Sequence, residues 1–239
     1  MNQPVAKSSV SFLLVLLFLP LFSFATSMNI GILTEYKITS LLLSPHNGEY
    51  YLYGDGQRLM EVKGSTTISC VVSGESVQVK KGSAIIGVYN TVKLAGKDAP
   101  NSFNIKPMAP EKPLRVYDHN LEITVINKAF RLINRVNIDY YVAGVVEAEN
   151  GIKQNFEYYK MKSIICRTYA LSNLRRHEAE GYSLCDQVHC QVYKAKNRMN
   201  DEIIMAAKAS TSMVIVDSEL RLITAAFHSN CGGQTLNSE

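Results

Sequence analysis

The hydrophobic pattern of this chain changes period once, near Asn137, and that change constrains the fold more than any other feature. Ahead of it lie short β-branched or alternating runs: NIGILT, YYLYG, TTISCVV, VQVKKG, AIIGVY, LRVYD and LEITVI. Turn formers such as Pro45-His46-Asn47-Gly48, Gly54-Asp55-Gly56 and Ser73-Gly74 separate them. A period of two punctuated by Gly, Pro, Asn and Asp predicts antiparallel hairpins. Beyond Asn137 the segment 156–177 carries Phe156, Tyr159, Ile164, Ile165, Tyr169 and Leu174 at roughly helical spacing, with no Gly or Pro, and predicts a long helix. A shorter helix is expected over 201–209 with Asn200 as its N-cap, followed by strands over 213–216 and 222–227. The fold class is therefore α+β, a β-rich N-terminal half over 28–137 followed by a mixed helix/strand half over 138–239.

The N-terminus speaks to compartment. Lys7 precedes the apolar run VSFLLVLLFLPLFSF, which ends in the small residues Ala25, Thr26 and Ser27. That run is shorter than the roughly 20 residues that span a bilayer, and Pro20 sits near its end. A cleavable signal peptide over 1–27 is expected, with the rest exported to the periplasm or cell envelope. No later stretch is long and uncharged enough to suggest a second membrane segment. With 46% hydrophobic residues among 239, the chain can bury a real core. A net charge of +4 without a dense Lys/Arg block argues against nucleic acid as a partner, while a mildly basic surface suits an anionic cell wall. Five cysteines in an exported chain leave disulfides, a metal site and free thiols all open.

Reactive side chains concentrate in three segments. In YYVAGVVEAENG (140–151), Glu147 and Glu149 follow an apolar, strand-like run ahead of the long helix. Apolar walls would raise the pKa of Glu149 toward that of a general acid, whereas a nearby helix N-terminus would lower it; a glutamate so placed is also an ordinary first-turn residue. In GYSLCDQVHCQVY (181–193), Cys185, His189 and Cys190 lie close enough to converge on one Zn²⁺, with His177 as a fourth ligand, although the spacing is not that of a zinc finger and suits a disulfide or packed thiols as well. In FHSNCGGQT (227–235), a strand ends in polar residues and a Gly-Gly turn that lets backbone approach a ligand, or simply closes a loop.

Taken in order, IDYYVAGVVEAE, EYYKMKSIICRTYAL, GYSLCDQVHCQVY and AAFHSNCGGQT resemble the successive blocks of the stage II sporulation protein D and amidase-enhancer (SpoIID/LytB) family. The resemblance is strong from about Ile133 onward and loose in the β-rich half. It implies a lytic transglycosylase acting on peptidoglycan glycan strands, some relatives being amidase enhancers instead. It places the general acid/base on Glu149. One carboxyl group suffices for this reaction: it protonates the glycosidic oxygen, then takes the proton of the muramic acid 6-hydroxyl as a 1,6-anhydro ring closes. The paired carboxylates of ordinary glycosidases are not required. The resemblance further implies that Lys160 and Arg167 contact the glycan or hold the glutamate. Tyr169, His228, Ser229 and Asn230 are implied on the substrate side. A structural zinc is implied on Cys185, His189, Cys190 and His177. Partners implied are glycan strands and an N-acetylmuramoyl-L-alanine amidase. The chain departs from the pattern at Asn150-Gly151, where the family often has Met-Pro, at Lys162 in place of Gln, and at Cys166 in place of Ala. It also stops at Glu239, soon after NCGGQT, which leads us to expect a catalytic region shortened at its C-terminal end.

Overall fold

Alternation does build the N-terminal half as antiparallel sheet. The computed structural model describes residues 27–98 and 100–227. Its strands are β1 (Ser27–Gly31), β2 (Ser40–Asn47), β3 (Tyr50–Gly54), β4 (Gln57–Val62), β5 (Ile68–Ser73), β6 (Ser76–Lys81), β7 (Ala84–Tyr89), β8 (Thr91–Gly96), β9 (Ser102–Ala109), β10 (Arg115–Asp118), β11 (Asn120–Ile126) and β12 (Ala129–Asn137). The second half carries α1 (Ile138–Asn150), α2 (Phe156–Ser172), β13 (Leu184–Cys185) and α3 (Asp201–Ala209). The signal-peptide segment lies outside the described residues up to Thr26. Among the described residues no helix is long and apolar enough to cross a membrane.

Among the described residues the strands form two sheets, ordered β13-β1-β12-β11-β8-β3-β4 and β10-β9-β2-β5-β6-β7. Along β2, β6 and β11 buried residues alternate with partly exposed ones, as a sheet with one face on a core requires. β6 packs against β8 and β11 of the other sheet, and a single buried cluster runs from Leu41 and Val79 through Ile123 to Val142 and Ala206. A line of buried rings, Tyr50, Phe103, Tyr117, Tyr193 and Tyr141, crosses that core with successive centroids 6.2, 5.9, 5.7 and 5.0 Å apart. It joins both sheets to α1, each pair adding about 0.5–1.5 kcal/mol beyond its buried area. β13 pairs in parallel with β1, so the 181–193 segment is fastened to the first strand of the β-rich half.

Several local expectations are corrected. Pro45-His46-Asn47 is not a turn but the end of β2, where a bulge separates Pro45 from Asn47; β5 pairs only with Ser40–Leu43, so Pro45 breaks no ladder on that side. The strand-like run before Glu149 is helix α1: Ile138, Tyr141, Val142, Val145 and Val146 recur at i, i+3, i+4, i+7 and i+8 and are all buried. Asn137 caps it by accepting from the Asp139 amide at 2.8 Å. The long helix ends at Ser172, not at residue 177, because the Asn173 amide turns back onto the Tyr169 carbonyl at 2.8 Å and competes with the backbone. The expected strands over 213–216 and 222–227 reduce to one bridge between Val216 and Leu222. α3 occupies the expected residues, with Asn200 accepting from the Glu202 amide.

Candidate active site

Glu149 stands in the last turn of α1, so its own helix presents it with the C-terminal end of its dipole and not with the N-terminal amides that would lower its pKa. Its Oε1 accepts the Val192 amide at 2.8 Å, while Oε2 is buried and has no partner among the described residues. Burial raises the Glu149 pKa above its ordinary value of 4.5, against the Val192 hydrogen bond and the charge of Lys162, which both lower it. A half-buried carboxyl with one oxygen fixed and the other free is built to hold or release a proton at that free oxygen. Glu147, two residues earlier, is spent differently: it accepts from the Met199 amide at 2.9 Å, the Arg198 amide at 3.2 Å and the Asn197 side chain at 2.5 Å. It anchors a loop, whereas Glu149, its Oε2 covered, borders the space beside the last turn of α1.

That space is a groove of about 820 Å³ whose lining includes Glu149, Tyr158, Lys162, Tyr169, Val192 and Phe227. Helix geometry explains which α2 residues reach it. At about 100° per residue, Tyr158, Lys162 and Tyr169 fall within roughly 40° of one another. Lys160 and Arg167 do share a face, as their spacing of seven requires, but it is the opposite one. Lys160 pairs with Glu157 at 3.2 Å beside Met161 and Ile164, away from the groove. Arg167 is buried, with Nη2 donating to Asp139 at 2.8 Å and to the Ala207 carbonyl at 2.8 Å, and Nη1 to the Ser210 carbonyl at 2.7 Å. It ties α1 and α2 to the C-terminal end of α3 and touches neither Glu149 nor the groove. Tyr169 does line the groove, its hydroxyl held by Arg176, which also donates to the His189 carbonyl at 3.1 Å. His228, Ser229 and Asn230 lie outside the described residues.

The groove wall opposite α2 is the 185–193 segment, and several contacts hold it. The buried Asp186 carboxylate accepts the Leu33 amide at 2.6 Å and the Thr34 hydroxyl at 2.7 Å. Gln191 bridges the Tyr141 hydroxyl at 3.2 Å and the Cys166 carbonyl at 3.3 Å. Gly144 makes the approach to α1 possible, since a Cβ there would meet the Ala195 carbonyl at 2.5 Å and the Tyr193 ring at 2.6 Å. His177 comes together with Cys185, His189 and Cys190 of this segment, one donor atom from each lying within 4.8 Å of the others. Cys190 Sγ lies 3.4 Å from His177 Nε2 and 3.7 Å from His189 Nδ1, and Cys185 Sγ 3.9 Å from His189 Nδ1. Donors about 2.0–2.3 Å from a tetrahedral ion are separated by about 3.3–3.8 Å, so two sulfurs and two nitrogens in this arrangement suit Zn²⁺. Glu180 holds His177 Nδ1 at 2.8 Å, leaving Nε2 toward the thiols, the outer carboxylate that metal-ligating histidines commonly have.

Lys162, Tyr158, Phe227 and the Val192 amide were not singled out as site residues from sequence. Lys162 is marked in the sequence only as a departure from the family pattern; Tyr158 carries no signal until α2 is placed against the groove.

Residues 126–216 match the family model described as stage II sporulation protein, SpoIID; the match takes in α1, α2, the Cys/His segment and α3 and stops before AAFHSNCGGQT. An uncharacterised protein of Brachyspira hyodysenteriae is 26% identical over 124 residues, which is 52% of this chain and 33% of the relative. The chain therefore spans about a third of the length of that relative. No solved structure matches.

Proposed function

We propose that this chain, whose residues 126–216 match the stage II sporulation protein (SpoIID) family model, is an exported peptidoglycan lytic transglycosylase that uses Glu149 as its single general acid/base. The observation that carries the reading is the state of that carboxyl: Oε1 is occupied by Val192, Oε2 is free, and burial favours the protonated form. A glycan lying in the groove would receive the proton on its glycosidic oxygen as the bond to the leaving sugar breaks, once rotation of the Glu149 carboxyl brings its covered Oε2 to the groove surface. The carboxylate so formed would take the proton of the 6-hydroxyl while that oxygen closes onto the anomeric carbon, giving a 1,6-anhydro end with no water consumed. Tyr158, Tyr169 and Phe227 supply flat apolar surface for sugar rings. Arg167 and Lys160 take no part in the chemistry; Arg167 holds the helices that carry it.

Cys185, Cys190, His177 and His189 would hold a zinc ion that supplies structure alone, since four protein ligands leave no position for an activated water. Their task is to fix the segment that presents the Val192 amide to Glu149.

The test is product analysis. Peptide-free glycan strands incubated with the protein should yield fragments ending in 1,6-anhydro rings, detected by mass spectrometry. Reducing ends would mean hydrolysis and contradict the mechanism. No cleavage by folded protein, together with stimulation of an N-acetylmuramoyl-L-alanine amidase, would replace it with the amidase-enhancing role.

A further inference from the structure

An edge strand offers unpaired amides and carbonyls to any other strand, and proteins guard such edges with charge, proline, shortness or a cover. Three of the four edges among the described residues are guarded. The Val116 carbonyl of β10 accepts the Lys196 amide at 2.8 Å, β4 carries Arg58 and Glu61, and β13 is two residues long. The fourth, β7, reads AIIGVY, without charge or proline, and beyond its pairing with β6 only the Tyr89 hydroxyl reaches its backbone, 3.5 Å from the Ile86 carbonyl. That pairing slips once, between Val79 and Lys80, which sets Ile85 on the same face as Val88, opposite Lys80 and Gln78. This face turns away from the buried Val77 and Val79, and Ile85 and Val88 stand in solvent, 61% and 49% exposed. The charges around the strand are sorted by end. Lys80 and Lys81 flank its start, opposite Ile85 and Ala84. Glu75 and Asp55 flank its finish, where the neighbouring Ser76 hydroxyl meets the Asn90 side chain at 3.1 Å and Asp55 accepts the Thr91 amide at 2.8 Å. Among the described residues the ion pairs of the β-rich half are made by other side chains, so these four charges are uncommitted.

We propose that β7 is a self-association edge, at which two copies of this chain pair β7 to β7, antiparallel about a two-fold axis, and join their six-stranded sheets into one continuous sheet. Charge selects this occupant and this direction. In an antiparallel pair the basic end of each strand meets the acidic end of the other, and the two-fold axis makes that match twice; a parallel pair would set Lys80 and Lys81 against their own copies. Main-chain hydrogen bonds supply the pairing, and Ile85 and Val88 of both copies lose water along one face. Because the interface is isologous and the remaining edges are guarded, assembly closes at two. Pairing through β7 is independent of what Glu149 does.

Sedimentation equilibrium of the purified protein, at concentrations up to about 1 mM, tests this directly. The mass should rise with concentration to twice that of the monomer and stop there, and rising salt should move the transition to higher concentration. Over the same range the β7 amides should gain protection from hydrogen exchange while those of β4 do not. Ile85→Lys, which places a charge on the edge, should move the transition about tenfold or more to higher concentration. Glu75→Lys should weaken pairing, and adding Lys81→Glu to it should restore most of the loss, a rescue that a merely structural role for either residue would not give. Melting temperatures of the dilute variants show that each is folded. A mass that stays at the monomer value throughout overturns the proposal, as does a dimer indifferent to Ile85→Lys and to the charge exchange, or one whose β7 amides gain no protection. Growth beyond two copies would contradict the closed pair.

Discussion

Two glutamates two residues apart end the same helix, and only their partners distinguish them. Glu147 is saturated by the 197–199 backbone and side chains, whereas Glu149 keeps one oxygen free. Burial raises the folded-state pKa of Glu149, so its contribution to stability is present below the unfolded value near 4.5 and is lost as pH rises through the folded one. Glu149→Gln should therefore raise the melting temperature at pH 7 and change it little at about pH 4, measured by thermal denaturation. As a general acid Glu149 must start protonated, so the rate of anhydro-end formation should fall as pH rises through its pKa. Because Lys162 lowers that pKa, the falling limb should move to higher pH in Lys162→Gln; an unmoved limb would detach the profile from this carboxyl. The two cations of α2 separate as sharply. Arg167→Ala leaves Asp139 buried without its partner and should cost about 3–5 kcal/mol in denaturant unfolding, whereas Lys160→Ala removes a surface pair and should cost less than about 1 kcal/mol.

At the level of elements, the legibility of the sequence follows how much each segment depends on distant residues. α3 was readable because its cap, Asn200, and its apolar positions are local. α1 was not, since Val142, Val145, Val146 and two tyrosines favour strand, and what decides for helix is burial of most of 138–146 against α2, α3 and β12. The alternation of β2, β4, β9 and β12 is interrupted by bulges, prolines or polar residues, so these strands are weakly marked in the sequence. The Cys/His set was legible as four residues, but its convergence depends on α2 stopping at Ser172, which sequence periodicity overran. If these four hold zinc, the purified protein should carry about one zinc per chain by elemental analysis. A chelator should then lower its melting temperature; protein free of metal at full stability would exclude the site. Gly144→Ala should push the 193–195 segment off α1, costing about 1–3 kcal/mol by overpacking and slowing anhydro formation through the displaced Val192 amide; an unchanged rate would show that this amide does not matter.

Across the whole molecule, two sheets and three helices among the described residues serve to bring α1, α2 and the 185–193 segment to one groove. The α+β class was legible from the change of period, but the sheet order was not, because pairings such as β1 with β12 and β13 join residues more than 100 positions apart. The candidate site divided along the same line. Glu149 was reachable from its block of sequence, whereas the exclusion of Lys160 and Arg167 from the groove and the entry of Lys162 depend on which face of α2 meets α1. The measurement that tests the account most directly is the initial rate of 1,6-anhydro-end formation on peptide-free glycan by wild type, Glu149→Gln and Glu147→Gln, each shown to be folded. We expect Glu149→Gln to lose about 10²–10⁴-fold at undiminished stability, and Glu147→Gln to lose stability first, with activity following it. A Glu149→Gln protein that cleaves at the wild-type rate would contradict the account.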